Sequence, residues 1–225
     1  VEIVKWARRG RVRLVPEFAH YGNKTWYALF WRYREFFREA IASGEYGHDH
    51  EGDDPLPFLR AALNGDPMGT LEEILPDSHL VLSRDSFPCT VQGLEIRGLG
   101  DLRDLPPNSR DRLVLKICGA NDLAARSYGV LMGHGLTDET WRTWIDERIS
   151  RRQPFLVQSR VDTAVASLPV MNRKWDRPEL FHCRVLLRPW VVGERLVSVS
   201  ACAVPANTLR VHGRVDMAVV PVVVR

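Results

Sequence analysis

A chain of 225 residues, of which 45% are hydrophobic and 26% charged, has the composition of a globular protein with a sizeable core. Its net charge of +3, with the basic residues spread along the chain, argues against a nucleic-acid partner. No apolar segment is long enough to span a membrane, and no signal-peptide pattern is present. The four cysteines occur singly, without CxxC spacing, so we expect reduced, buried thiols in a cytoplasmic protein. The start at Val1 and the apolar end suggest a fragment of a longer protein.

The first 77 residues are predicted to form a helical, aromatic N-terminal part. Residues 12–16 are typical of a short edge strand, because a proline ends them. Residues 24–43 contain no glycine or proline and predict a long helix that Gly44 ends. The apolar arc of this helix is wide, so it is either deeply packed or covered by a protein partner or a second copy of the chain.

Residues 46–54 form a polar loop whose histidines and carboxylates resemble a metal site in composition. The absence of a rigid element holding them favours a solvated connector instead. Residues 57–63 and 71–75 predict two short helical pieces, separated by a turn at residues 65–69.

The hydrophobic pattern changes near residue 78, which is the predicted boundary between residues 1–77 and a strand-rich region, residues 78–225. Residues 79–83 and 94–97 predict strands, and residues 97–108 predict a connector because they hold glycines and a Pro-Pro pair.

Residues 112–118 predict a buried strand with one lysine. Alternation places Val114, Lys116 and Cys118 on one face. A lysine there is costly unless its ammonium group reaches water or an anion. The alternative interpretation is an edge strand from which the lysine side chain extends into solvent.

The loop at residues 119–135 combines four glycines, among them Gly129 and Gly133, with Arg126 and Ser127. Glycines allow backbone N–H groups to approach phosphate oxygens, and Arg126 and Ser127 would add charge and a hydroxyl group. The loop is not a P-loop, because no Gly-Lys-Ser/Thr follows.

Residues 137–150 predict an amphipathic helix with Thr137 as its N-cap. The strands that follow are predicted at residues 155–161, 182–190 and 195–204, with a last strand after Gly213. Arg184 and Arg188 share one face of their strand. Either salt bridges or a bound anion would explain two arginines on such an apolar strand. The succession of strands and tight turns after Gln153, with almost no helix, indicates an α+β protein with a largely antiparallel sheet.

The strand lysine, the glycine loop, the Trp-bearing helix, PFLVQSRV, RVLLRPWVVG and SVSACAVPAN follow one another in this order. Together they resemble the C-terminal half of an ATP-grasp fold, and in particular the circularly permuted ATP-grasp proteins of bacteria. The resemblance covers residues 78–225.

The resemblance implies an ATP site between two α+β subdomains. Lys116 would contact the α-phosphate and adenine, and residues 129–135, with Gly129 and Gly133, would cover the phosphates. The segment beside adenine would include Gln158, Ser159 and Arg160. Arg184 and Arg188 would be the catalytic residues, facing the γ-phosphate or an acyl-phosphate.

The family also implies magnesium, held by a Glu and an Asn close together on a late strand. No Glu-x-Asn occurs here. Asn207 and Asp216 are the nearby candidates for metal ligands.

The resemblance implies an ATP-dependent carboxylate–amine (or thiol) ligase that acts on a small-molecule carboxylate through an acyl-phosphate. The alternative is a non-catalytic ATP-grasp-like module that senses a nucleotide or binds a partner. The missing Glu-x-Asn favours the module, whereas Lys116 and the arginine pair favour the enzyme.

Overall fold

The computed structural model describes residue 9 and residues 24–43, 65–119, 129–172, 177–192, 195–208, 217–220 and 222. Contacts divide the chain into two units. The first contains the described residues 24–119 and 130–160, and the second contains residue 129 and those from 161 onwards. Residue 78, the predicted boundary, lies inside the first unit.

The first unit combines helices with a four-stranded sheet. Its helices are α1 (Thr25–Ser43), α2 (Pro67–Ile74), α3 (Leu99–Arg103), α4 (Pro107–Arg110) and α5 (Asp138–Ser150), with a 3-10 turn at Arg84–Ser86. Its strands are β1 (Ser78–Val81), β2 (Cys89–Val91), β3 (Leu94–Ile96), β4 (Leu113–Ile117), β5 (Val130–Met132) and β6 (Phe155–Ser159). The sheet has the antiparallel order β1-β6-β4-β5, and β2 and β3 form a separate hairpin.

One face of this sheet carries the main core. Leu113 and Leu115 of β4 and Val157 of β6 are fully buried there, in one cluster with Trp141 of α5. The α5 helix begins where the sequence predicts, because the Thr137 hydroxyl accepts from the backbone N–H of Thr140 at 3.2 Å. The core therefore fixes α5 against the sheet.

Trp141→Phe is expected to lower the free energy of unfolding by about 2 kcal/mol. The indole N–H of Trp141 donates to the Leu102 carbonyl at 2.8 Å in a fully buried setting. Phenylalanine leaves both a cavity and an unsatisfied carbonyl. Urea denaturation measures the change, and Trp26→Phe is the control, because Trp26 is 49% exposed and its replacement should cost less than about 0.5 kcal/mol. Equal effects of the two substitutions would contradict this assignment of the core.

The second unit has a four-stranded antiparallel sheet. Its strands are β7 (Val165–Asn172), β8 (Arg177–Val192), β9 (Arg195–Pro205) and β10 (Ala218–Val220), in the order β10-β9-β8-β7. The strand pairing of β8 and β9 is regular up to a register shift between Trp190 and Val191. Both units together confirm an α+β protein with antiparallel sheets.

Two predictions of local structure were wrong, and three strands were missed, β2 among them. The predicted turn at residues 65–69 contains the start of α2, which Asp66 caps by accepting from the Gly69 backbone N–H at 2.8 Å. The predicted connector at residues 97–108 contains α3 and the start of α4. Strands β5 and β7 were not predicted. Ion pairs to α5 from Arg103 and Asp104, at 3.0 and 2.8 Å, hold the α3 end in place.

Three further predictions lie outside the described residues: the edge strand at 12–16, the polar loop at 46–54 and the helix at 57–63. In the described part of the chain, the model has no helix that is both long and apolar enough to cross a membrane.

Candidate functional site

Lys116 lies on the second face of the first sheet, opposite the main core. In the register of the sheet it is opposite Leu156 of β6 and Val130 of β5. Because β4 has a partner strand on each side, the edge-strand interpretation does not apply. Lys116 is therefore a lysine on an interior strand, and its ammonium group needs a polar partner within the fold.

That partner is the side-chain amide of Gln158, two residues along β6. The Lys116 Nζ donates to Gln158 Oε1. Gln158 Nε2 donates to the Ser78 hydroxyl of β1 at 2.7 Å, and this hydroxyl donates to the Pro76 carbonyl at 2.7 Å. We call these four groups the polar row. Gln158 and Ser78 are only 1% and 3% exposed, so the middle of the row has almost no contact with water, whereas Lys116 and Pro76 at its ends are half-buried.

Helix α1 packs over the same face of the sheet. Ala28 contacts Cys118 and Leu156 in a small buried cluster, and the Thr25 side chain hydrogen-bonds the Cys118 thiol. These contacts bring the beginning of α1 to the end of β4. Lys24, directly before α1, consequently lies close enough to Lys116 and Cys118 for its charge to act on both.

Burial and charge shift the titration of this cluster. Burial, and to a smaller extent the charge of Lys24, lower the pKa of Lys116 to about 8. Burial also lowers the pKa of Lys24. The pKa of the Cys118 thiol is raised by burial, against the opposing effects of Thr25 and Lys24. At neutral pH the Lys116 ammonium is therefore charged and poorly compensated.

Among the residues that the structure describes, no carboxylate is bonded to Lys116; its partner is a neutral amide. A half-buried ammonium group next to a second lysine, with no described carboxylate bonded to it, is a setting that an anion would stabilise. Chemically, the arrangement is suited to bind phosphate or carboxylate oxygens rather than a metal ion.

The structure places Gln158 with Lys116 and puts Ser159 on the other face of the sheet. Ser159 pairs with Leu113 and belongs to the opposite face, where its backbone N–H donates to the Asp77 carbonyl at 2.8 Å. Arg160 follows β6, and its backbone N–H donates to the Arg112 carbonyl at 2.8 Å. Of the predicted residues beside adenine, Gln158 thus bonds the lysine and Ser159 lies on the opposite face.

Gly133 has a structural reason to be glycine. Its backbone N–H donates to the Leu113 carbonyl at 3.0 Å, and a Cβ atom at this position would collide with the carbonyl of Arg110. Gly129 directly precedes β5. The other two predicted loop residues, Arg126 and Ser127, lie outside the described residues.

Arg184 and Arg188 lie on β8 in the second unit and share one face, as predicted, since they are opposite Val204 and Ser200 of β9. Contrary to the expected anionic partners, Arg184 donates to neutral oxygens. Its Nε bonds the Ala206 carbonyl at 2.9 Å, and its Nη1 bonds the carbonyl and hydroxyl oxygens of Thr163 at 2.6 and 2.7 Å. Arg184 therefore ties together the segments that flank β7 and β9.

Asn207 is exposed in the turn after β9, and Asp216 lies outside the described residues. Within the described ranges, no three His, Cys, Asp or Glu side chains come together as a metal site. A lone amide oxygen does not fit Mg²⁺, which prefers carboxylates and phosphates. The described residues therefore give no protein cage for magnesium.

A groove of about 950 Å³ lies between α1 and β1. Its described lining includes Trp31, Ser78 and Phe87, but neither Gln158 nor Lys116. The groove thus meets the polar row only at the Ser78 end and is distinct from the lysine cluster.

Sequence reasoning found Lys116 and Gln158 but missed Lys24, Ser78 and the Pro76 carbonyl. Ser78 begins a strand and Lys24 precedes a helix, and neither position has a motif. The antiparallel pairing of β1 with β6 places Ser78 opposite Gln158, so Ser78 could have been found only by predicting this pairing.

Comparison with protein-family models, with curated proteins and with solved structures finds no match to this chain.

Proposed function

We propose that this chain binds ATP, with Lys116 as a contact of its phosphates. The observation that carries the proposal is the half-buried Lys116 ammonium, which has a neutral amide as its bonded partner and the charge of Lys24 nearby. A phosphate oxygen would supply a negative charge to Lys116, whose bonded partner among the described residues is neutral. We choose ATP as the nucleotide because the order of the sequence motifs resembles that of an ATP-grasp fold.

The reaction we propose is ATP-dependent ligation of a small carboxylate to an amine or a thiol. A carboxylate oxygen attacks the γ-phosphorus, which forms an acyl-phosphate and releases ADP. The amine or thiol then attacks the acyl carbon and phosphate leaves, so that an amide or thioester forms and one proton is released. Negative charge on the transferred phosphoryl group is what such a reaction must stabilise.

A second candidate function is a nucleotide-sensing or partner-binding module without catalysis. Two observations favour it: the neutral partners of Arg184, and the lack of a metal cluster among the described residues. In this proposal Lys116 holds a nucleotide, and Mg²⁺ would accompany it only as a counter-ion of the phosphates.

Calorimetric titration of ATP, ADP and AMP with and without Mg²⁺ tests the proposal. We expect micromolar affinity for ATP, weaker binding of AMP, and stronger ATP binding with Mg²⁺. ADP release in the presence of pooled carboxylates and amines would then support the ligase. Saturable binding that ignores Mg²⁺ and releases no ADP would support the sensing module, and absence of binding for all three nucleotides would contradict both.

A further inference from the structure

We propose that Ser78 is a positioning residue of the nucleotide site: its hydroxyl fixes the Gln158 amide with Oε1 toward Lys116, which keeps the ammonium group in place for a phosphate. Ser78 itself is 3% exposed and lies on β1, one strand beyond Gln158, so it acts on the lysine through the amide. That this positioning of Lys116 serves a nucleotide rests on the proposed function.

The direction of every bond in the polar row follows from its last acceptor. The Pro76 carbonyl can only accept, and it receives both the Ser78 hydroxyl at 2.7 Å and the Trp31 indole N–H at 3.0 Å. Because the Ser78 proton points at Pro76, its oxygen faces Gln158 as an acceptor. The amide must then present Nε2 to Ser78 at 2.7 Å, which leaves Oε1 for Lys116.

Loss of the Ser78 hydroxyl removes this constraint. Gln158 is 1% exposed, so its Nε2 would lose its acceptor without gaining water. Rotation of the amide by half a turn would bring Nε2 against the ammonium group of Lys116, donor against donor. The charged lysine is then disfavoured twice, by burial and by the loss of its acceptor.

Few other titratable groups on the surrounding elements can influence the pKa of Lys116. In the described part of the chain, α1 contributes Lys24 from the position before its first residue, and β4 itself contributes Cys118. The residues opposite Lys116, Leu156 of β6 and Val130 of β5, are apolar. None of these groups changes in a Ser78 variant, so a change in the titration of Lys116 reports on the polar row.

The experiment measures two quantities in wild type and Ser78→Ala: the pKa of Lys116 by NMR of lysines labelled at Cε and Nζ, and the dissociation constant for ATP between pH 6.5 and 9. We expect Ser78→Ala to lower the pKa of Lys116 by about one unit and, because the charged fraction of the lysine falls accordingly, to weaken ATP binding about threefold at pH 7.5. Ser78→Thr keeps the hydroxyl. It should leave the pKa of Lys116 within about 0.3 units and the dissociation constant within about twofold of wild type.

A double-mutant cycle separates positioning from simple packing. Gln158→Leu removes the amide, and Ser78→Ala added to it should not lower the pKa of Lys116 further, because Ser78 acts through the amide. Additive effects, or an unchanged lysine titration in Ser78→Ala, would overturn the inference. The titration needs no nucleotide: if wild type binds no ATP while Ser78→Ala shifts the lysine, the proposed function fails and the positioning by Ser78 stands.

Discussion

Lys116→Met is expected to weaken ATP binding about 100-fold, because the substitution removes a charged donor to phosphate and keeps the volume of the side chain. The free energy of unfolding at pH 7 should change far less. Methionine avoids burying a charge but leaves Gln158 Oε1 without its donor, and the two effects oppose each other. Calorimetry and urea denaturation of the same preparation measure both quantities.

Arg97→Met is the matched control, since it removes one positive charge from a side chain that is 77% exposed. Its ATP affinity should stay within about twofold of wild type. An equal loss of affinity in both variants would mean that net charge, rather than the buried lysine, governs binding. Unchanged affinity in Lys116→Met would remove Lys116 from the site.

The pH dependence of stability gives the same lysine a second test. The pKa of Lys116 is about 8 in the folded protein against 10.5 ordinarily. Between these values the unfolded chain binds the proton and the folded chain does not, so stability rises with pH. Wild type should gain about 3 kcal/mol over Lys116→Met between pH 8 and 10.5. Other groups, such as Cys89, whose pKa burial raises to about 12, affect both proteins alike.

Gly133→Ala is expected to lower the free energy of unfolding by more than about 3 kcal/mol and the melting temperature by about 10 °C. The new Cβ would collide with backbone rather than with a flexible side chain, because the Arg110 carbonyl lies against this position. To relieve the collision, α4 or the β4–β5 pair must move. The Gly133 N–H also donates to the Leu113 carbonyl of β4, so a shift here disturbs that hydrogen bond as well. Thermal denaturation followed by circular dichroism measures the change.

The control for this prediction is Gly100→Ala in α3. Nothing lies within 4 Å of the Cβ that it would add, and alanine favours a helix, so stability should hold or rise by about 0.5 kcal/mol. A stable Gly133→Ala protein that has lost only ATP binding would instead assign Gly133 to a phosphate-covering loop.

Strong periodicity made much of the first unit predictable. The apolar spacing of α1 and α5 and the alternation of β4 and β6 were sufficient to place these elements within a few residues. Strand β7 was missed because Pro169 interrupts its pattern. The structure explains the proline, since β7 is an edge strand and a missing N–H is tolerated there.

The candidate site was only half predictable. Lys116 was identified because a lysine within an apolar strand is costly by itself. Its bond to Gln158 depends on the register of β4 and β6, and Ser78 depends on the register of β1 and β6, which no local pattern encodes. The position of Lys24 near the lysine depends on how α1 packs, which is equally a property of the folded chain.

The strand order β1-β6-β4-β5 also bears on how the chain acquires its structure. Strand β1 is made early, yet its partner β6 lies 80 residues later, as measured by the bond between Ser78 and Gln158. Long-range pairing of this kind slows folding, because a large loop must close before any contact compensates for the lost entropy. During synthesis β1 cannot pair with β6 until residue 158 has left the ribosome. Insertion of β6 then completes the sheet and supplies Gln158 to Lys116, so we expect the polar row to form only after β6 has emerged.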